Sequence, residues 1–191
     1  VTMPKIIFLM GVAGSGKTTV LHESWLLKLP NFVYVPSYTT RPMREWEING
    51  EKYHHIDPIE FQNKIINDDF LECAVVHQLA MYWTDYKSIT EPLLVWKNSI
   101  KELEIFWLIA IEESEKIDGQ YITIFLDIPL GLMAERIQQR QTISDDELHK
   151  RIASATFEKE QAQIRCHHVI DATQSIEKVC EEVRKICLAL E

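Results

Sequence analysis

Short apolar runs alternate along the chain with stretches in which apolar residues recur every three or four positions. Residues 4–10 (Pro-Lys-Ile-Ile-Phe-Leu-Met) are the first such run and predict a short buried strand. A glycine-rich loop follows, then a helix to about Leu29, stopped by Pro30. Residues 31–56 read as strands and turns, clearest at Phe32–Val35. Asp57-Pro-Ile-Glu60 opens a helix to about Asn67, with Asp as N-cap, Pro in the first helical position and Glu in the third. Residues 87–104 read as an irregular helix interrupted by Pro92. Ile105–Ile111 and Tyr121–Asp127 read as two more buried strands, separated by a short helix at Glu112–Lys116 and a turn at Asp118-Gly119. Pro129–Arg140 predicts a helix, and Ser144-Asp-Asp-Glu147 is a capping box opening another to about Arg165. Val169–Ile170 makes a last short strand. Ile176, Val179, Cys180, Val183, Ile186, Cys187 and Leu190 then recur at helical spacing. Strands alternating with helices over short connections predict an α/β fold, a parallel sheet covered on both faces.

Length changes this picture little: 191 residues correspond to one domain, large enough to bury a core without disulfides. Charge changes it more. Twenty Lys and Arg against 29 Asp and Glu leave a net charge of −9, which argues against a nucleic-acid or anionic-membrane surface. Any anionic ligand must therefore meet cations gathered in one place. The longest apolar run is too short to span a bilayer as a helix, and the apolar N-terminal run leads straight into glycines and a lysine, unlike a signal peptide. The four cysteines (Cys73, Cys166, Cys180, Cys187) show no metal or redox spacing, and Cys180 and Cys187 read as core thiols. A cytoplasmic protein is expected.

Gly11-Val-Ala-Gly-Ser-Gly16-Lys17-Thr18 matches G-x-x-x-x-G-K-[ST], with a strand before it and a helix after. Its glycines let successive backbone N–H groups turn toward one phosphate, and the helix N-terminus adds its positive end. Gly11, Val12, Ala13, Gly14, Ser15, Gly16, Lys17, Thr18 and Thr19 are thus the candidate ATP-binding residues. Lys17 suits the β- and γ-phosphates and the Thr18 hydroxyl suits Mg²⁺. The pattern is shared by kinases, GTPases and motor ATPases; the size favours a small kinase, and no guanine-reading N-K-x-D motif of the GTPases is present.

The acceptor is indicated by Ser37-Tyr-Thr-Thr-Arg41-Pro-Met-Arg44-Glu-Trp-Glu47-Ile-Asn-Gly50-Glu-Lys-Tyr53-His54, followed by Phe70-Leu-Glu72-Cys-Ala74 and then His77 and Tyr82-Trp83-Thr84. This series resembles the acceptor-binding segment of guanylate kinases, S-x-T-T-R-P-x-R-x-x-E-x-x-G-x-x-Y-x, then F-L-E-x-A and Y-G-[ST]. Together with the phosphate loop it covers nearly half the chain in order. The resemblance implies that Arg41 and Arg44 clamp the acceptor monophosphate, work suited to the guanidinium fork. It implies that Tyr53 and Tyr82 add hydroxyls to that phosphate. Glu72 would accept the N1–H and 2-amino hydrogens of guanine, a donor pair adenine lacks, with Ser37 and Thr84 near O6. Trp83 departs from the family's small glycine, and Glu47 with the His54-His55 pair reads as structural or exposed.

Asp127 through Arg140 is similar to the lid entry of nucleoside monophosphate kinases, and Arg140 and Arg151 have the spacing of two phosphate-contacting lid arginines; Arg136 is a further candidate. Phosphoryl transfer needs positioning and positive charge more than acid–base work, so lid arginines fit. The family also has an apolar strand ending in D/E-I-D-x-Q-G, whose acids serve the Mg²⁺ shell and the guanine. The corresponding piece reads as Leu108–Glu115, with Ala110 and Glu112 in the acidic positions; Asp127 is a rival for the metal shell. The expected layout is a P-loop NTPase core (1–35, 87–135, 153–191), an acceptor-binding insert (36–86) and a short lid (136–152). The expected activity is Mg²⁺-dependent transfer from ATP to GMP, with Lys17, Arg41, Arg140 and Arg151 as catalytic cations, in a monomer or homodimer with no nucleic-acid or membrane partner. Two alternatives stand beside it: a phosphotransferase with another acceptor such as ribose 1,5-bisphosphate, and a guanylate-kinase-like binding module.

Overall fold

The computed structural model describes residues 3–45, 47–76, 80–140 and 142–190, and the side chains of 72–76 and 80 fall outside that description. The first predicted strand, β1 (Ile6–Gly11), is buried at every position and forms the middle of the core. It leads through the glycine loop into α1 (Lys17–Glu23), shorter than expected because Trp25 takes a left-handed backbone conformation (φ 62°) and a 3₁₀ turn follows at Leu26–Lys28. After β2 (Phe32–Tyr34) come β3 (Ser37–Thr39), β4 (Tyr53–His55), α2 (Pro58–Ile66), β5 (Phe70–Val76) and β6 (Ala80–Asp85). The α2 N-cap is as read: the Asp57 carboxylate accepts from the Ile59 and Glu60 amides at 2.8 and 2.9 Å. Next are α3 (Tyr86–Leu94), β7 (Asn98–Glu102), α4 (Ile105–Ser114) and β8 (Tyr121–Asp127). The chain closes with α5 (Leu130–Arg140), α6 (Asp145–Arg165), β9 (His168–Asp171) and α7 (Ile176–Leu188).

Among the described residues these strands form two sheets. The first is wholly parallel, in the order β2-β7-β1-β8-β9; the second, β4-β3-β6-β5, is mixed and is built from residues 37–85. The parallel sheet with flanking helices is the P-loop NTPase α/β fold. The ends of β1 and β7 open on the second sheet, and the cleft lies between them. Among the described residues no helix is long and apolar enough to cross a membrane.

Two elements differ in kind from the reading above: the helix read over 87–104 ends at Leu94 and gives way to strand β7, and the strand read at 105–111 is a helix. Ile105–Ile111 is not a strand but most of α4, with Ile105, Leu108 and Ile111 buried along one face and Phe106 about half exposed. The strand beside β1 is instead β7, Asn98-Ser-Ile-Lys-Glu, which carries no apolar run at all. It is buried because each polar side chain finds a distant partner. Asn98 Oδ1 accepts from the Lys5 amide at 2.8 Å, Ser99 Oγ donates to the Ile89 carbonyl at 2.7 Å, and Lys101 Nζ donates to Ser37 Oγ at 2.8 Å. Buried polar groups with partners cost little, whereas without them each would cost kilocalories.

Candidate active site

The phosphate loop is shaped by its glycines. Gly11 has φ 149°, and a Cβ there would lie 2.6 Å from Ser15 Oγ and 2.7 Å from the Leu126 carbonyl, so no side chain fits. Gly16, at φ 93°, turns the chain into α1. Lys17 folds back over the loop, its ammonium donating to the Gly11 and Val12 carbonyls, and burial lowers its affinity for the proton. Val12 and Ser15 are buried beneath the loop, while Ala13, Gly14, Gly16, Lys17, Thr18 and Thr19 face a cleft of about 580 Å³. Arg136, from α5, donates to the Gly14 carbonyl at 2.7 Å and so rests α5 on the loop.

Beside the loop, on the strand next to β1, stand the acids that close β7. Thr18 Oγ1 donates to Glu102 Oε2 at 3.2 Å, and Lys52 Nζ lies 3.8 Å from the same oxygen. Glu104 lines the wall two residues on. A hydroxyl beside a carboxylate, with a second carboxylate near, is the hard oxygen set that suits Mg²⁺, so these residues fit the metal. Glu158, on α6, faces the same region: burial, with the charge of Glu104, pushes its carboxyl up to about 7 while Ser154 Oγ donates to it at 3.2 Å.

The acidic pair is therefore Glu102 and Glu104, not Ala110 and Glu112. Glu112 sits at the far end of α4, ion-paired with Arg165 and bonded by the Tyr121 hydroxyl, outside the cleft lining. Asp127 is likewise taken, by Lys159 at 2.5 Å. Sequence reasoning passed over Glu102-Leu-Glu104, although acid–apolar–acid is the family's own spacing. The acids close a polar strand, and the apolar run that follows them is helical.

The second sheet supplies the other half of the cleft. Ser37, Arg44, Tyr53 and Tyr82 line it. Arg41 stands directly behind: its Nε donates to the Tyr82 hydroxyl at 3.2 Å, its guanidinium carbon is 5.6 Å from the Tyr53 ring centre, and it pairs with Glu47 at 2.6 Å. The Arg41 guanidinium, helped by the Arg44 amide, holds the Glu47 carboxyl down at about 2. Glu47 thus aims Arg41 while its other oxygen accepts from the Arg44 amide at 2.8 Å, orienting both candidate clamp residues. Glu47→Gln is expected to raise the GMP KM on the order of tenfold with the ATP KM unchanged, since small misplacements of a clamp cost that much or more. Initial-rate kinetics with each nucleotide varied in turn checks it, and equal rises for both would remove the positioning role.

Thr84 is fully buried and pairs in register with Glu72 across β5 and β6; the Glu72 side chain and His77 lie outside the described residues. Arg140 lines the cleft, but Arg151 is not brought to it, its Nε donating to Glu147 at 3.0 Å along α6. Trp83 is among the residues that line the cleft, and its ring packs beneath the second sheet. Alternation along β6 turns the ring away from Tyr82 and Thr84 toward α2, where it packs 4.7 Å from Phe61, 5.0 Å from Phe70 and 5.7 Å from Tyr38. Tyr34, Lys52, Lys101 and Trp107 are cleft residues that had no motif to mark them.

The family model described as guanylate kinase matches residues 3–190. Among similar proteins, a guanylate kinase of Clostridium tetani is 36% identical over 150 residues, covering 78% of this chain and 70% of that protein. One of Mycoplasmopsis pulmonis is 34% identical over 192 residues, covering 96% and 93%. In fold, the crystal structure of guanylate kinase from Anaplasma phagocytophilum superposes with a TM-score of 0.72 at 20% identity, covering 99% of this chain and 87% of that one. With an intact phosphate loop, an acidic pair behind it and an arginine–tyrosine cluster facing it, the chain belongs to the guanylate kinase family.

Proposed function

We propose that the protein transfers the γ-phosphoryl group of ATP to GMP, giving ADP and GDP, in the cytoplasm. The observation that carries this reading is that one cleft joins Lys17 and Thr18 at the start of α1 and Glu102 at the end of β7 to Ser37, Tyr53 and Tyr82 on the second sheet and Arg44 in its β3–β4 loop. Donor phosphates belong on the loop, where backbone N–H groups and Lys17 take them. The acceptor phosphate belongs between Arg44, Arg41 and the two tyrosines, and the base reaches toward Ser37, Glu72 and Thr84. Thr18 and Glu102, with Glu104, would hold Mg²⁺, which when bound neutralises charge on the donor phosphates. Arg140 enters from the lid side, and Arg151 joins it on release from Glu147. Closing the cleft over both nucleotides excludes water and brings the acceptor oxygen in line with the γ-phosphorus.

The test is ADP formation from ATP and Mg²⁺ with GMP, AMP, CMP, UMP and ribose 1,5-bisphosphate offered separately. Turnover with GMP alone is expected. Turnover confined to the sugar phosphate would transfer the activity to that acceptor, and silence with every acceptor would leave a binding role.

A further inference from the structure

Lys101 is an ionisable side chain in the cleft wall for which the transfer reaction has no stated use. It is 1% exposed, next to the last residue of β7, and its ammonium donates to Ser37 Oγ at 2.8 Å and to the Val35 carbonyl at 3.3 Å. The consequence lies in Ser37. A lysine ammonium has only hydrogens to give, whereas a serine hydroxyl either gives one or receives. In this pair Ser37 must receive. Its own proton is left to point elsewhere, and among the described residues it meets no acceptor, while Ser37 itself faces the cleft.

We propose that Lys101 is a specificity-determining positioning residue: it fixes the Ser37 hydroxyl as a hydrogen-bond donor toward the acceptor base. The pocket then accepts purines that present an oxo oxygen at position 6 and rejects those that present an amino group there. This rests on the reading that Ser37 faces the acceptor base. An unconstrained serine would discriminate poorly, since its hydroxyl rotates to suit either partner. With its receiving role occupied by a buried ammonium, a 6-amino group would place hydrogen against hydrogen, and sites built around a defined hydrogen bond reject the wrong partner far more strongly than apolar pockets do. The ammonium's positive charge, screened by little water, favours an oxygen lone pair nearby for the same reason. Lys101 also ties β7 to the β2–β3 junction through Val35 and Ser37, so a merely structural strut is the competing role.

Ligands altered only at position 6 separate the two. Lys101→Met keeps the length and removes the ammonium; GMP and 6-thioguanosine monophosphate are compared as acceptors, because sulfur is a weak hydrogen-bond acceptor while the N1–H and 2-amino groups are retained. For the unaltered enzyme kcat/KM is expected to favour GMP clearly. In Lys101→Met the GMP value should fall about tenfold, mostly through KM, with the thio analogue and the ATP KM little changed, so that the preference collapses. Lys101→Arg should recover part of it. A parallel fall for both acceptors, with the preference intact, overturns the proposal and leaves the strut. Should Lys101→Met fail to fold, Ser37→Ala with Lys101 in place must collapse the same preference, and an undiminished preference there overturns the proposal equally. Absence of GMP turnover by the unaltered enzyme overturns the acceptor reading and this proposal with it, whereas an undiminished preference in the variants overturns this proposal alone.

Discussion

Lys17→Ala is expected to reduce turnover by at least about 10²–10³-fold while the protein stays folded, the scale lost when one preorganised charge donor is removed from a transfer site. The structure explains why both halves of this result belong together. Lys17 is held among backbone carbonyls of its own loop, and burial already disfavours its charge, so it contributes little to the stability of the empty protein. Its value appears when phosphates arrive: the ammonium exchanges the Gly11 and Val12 carbonyls for phosphate oxygens, a far stronger partner in the same low-dielectric site. The melting temperature without nucleotide should therefore remain within a few degrees of the unaltered protein, and the rise in melting temperature on adding ATP should shrink. A coupled ADP assay beside a thermal melt measures both. Near-normal turnover in Lys17→Ala would remove the phosphate-loop assignment.

Trp83→Ala is expected to cost about 3–5 kcal/mol, the range for emptying a fully buried large aromatic position. At this chain length that corresponds to a fall in melting temperature of roughly 10 °C or somewhat more. Trp83 is 1% exposed, and its ring touches Phe61, Phe70 and Tyr38, which come from α2 and the strands beside it. It is the centre of the small aromatic core under the second sheet, a sheet too thin to hold its shape by strand pairing alone. The candidate acceptor residues Ser37, Tyr53 and Tyr82 ride on that sheet, so GMP binding should weaken more than ATP binding. Trp83→Phe should retain most of the stability. Calorimetric melting and titration with each nucleotide check the pair; an unchanged melting temperature in Trp83→Ala would show that the ring carries no packing energy.

What could be read in advance followed from how local each signal is. The phosphate loop is contiguous, its residue types are dictated by backbone conformation, and it lies where the sequence placed it, between β1 and α1. The caps at Asp57 and Ser144 were legible for the same reason: each depends on amides only two or three residues away. The α7 stripe was legible because one amphipathic face needs only a sheet to cover it, and Val179, Cys180, Val183 and Cys187 are buried as the spacing implied. The reading failed at 98–112, where periodicity could not tell a buried strand from a buried helix in a short apolar run. Neighbours on both sides of β7 overrode its polar composition, and the acids followed the strand to Glu102 and Glu104.

By itself, then, the amino-acid sequence determined the α/β class, the glycine-rich loop between β1 and α1, and the resemblance to the guanylate kinase family. Tertiary structure alone decided which carboxylates face Thr18, that Glu47 aims Arg41, that the Trp83 ring fills the second sheet's core, and that Lys101 meets Ser37 across 64 residues of chain. The division has one physical cause. Backbone geometry and capping are settled within a turn or two of chain. The partner of a buried charge or the filling of a cavity is settled only when segments distant in sequence close on one another and exclude the water that would otherwise have served them.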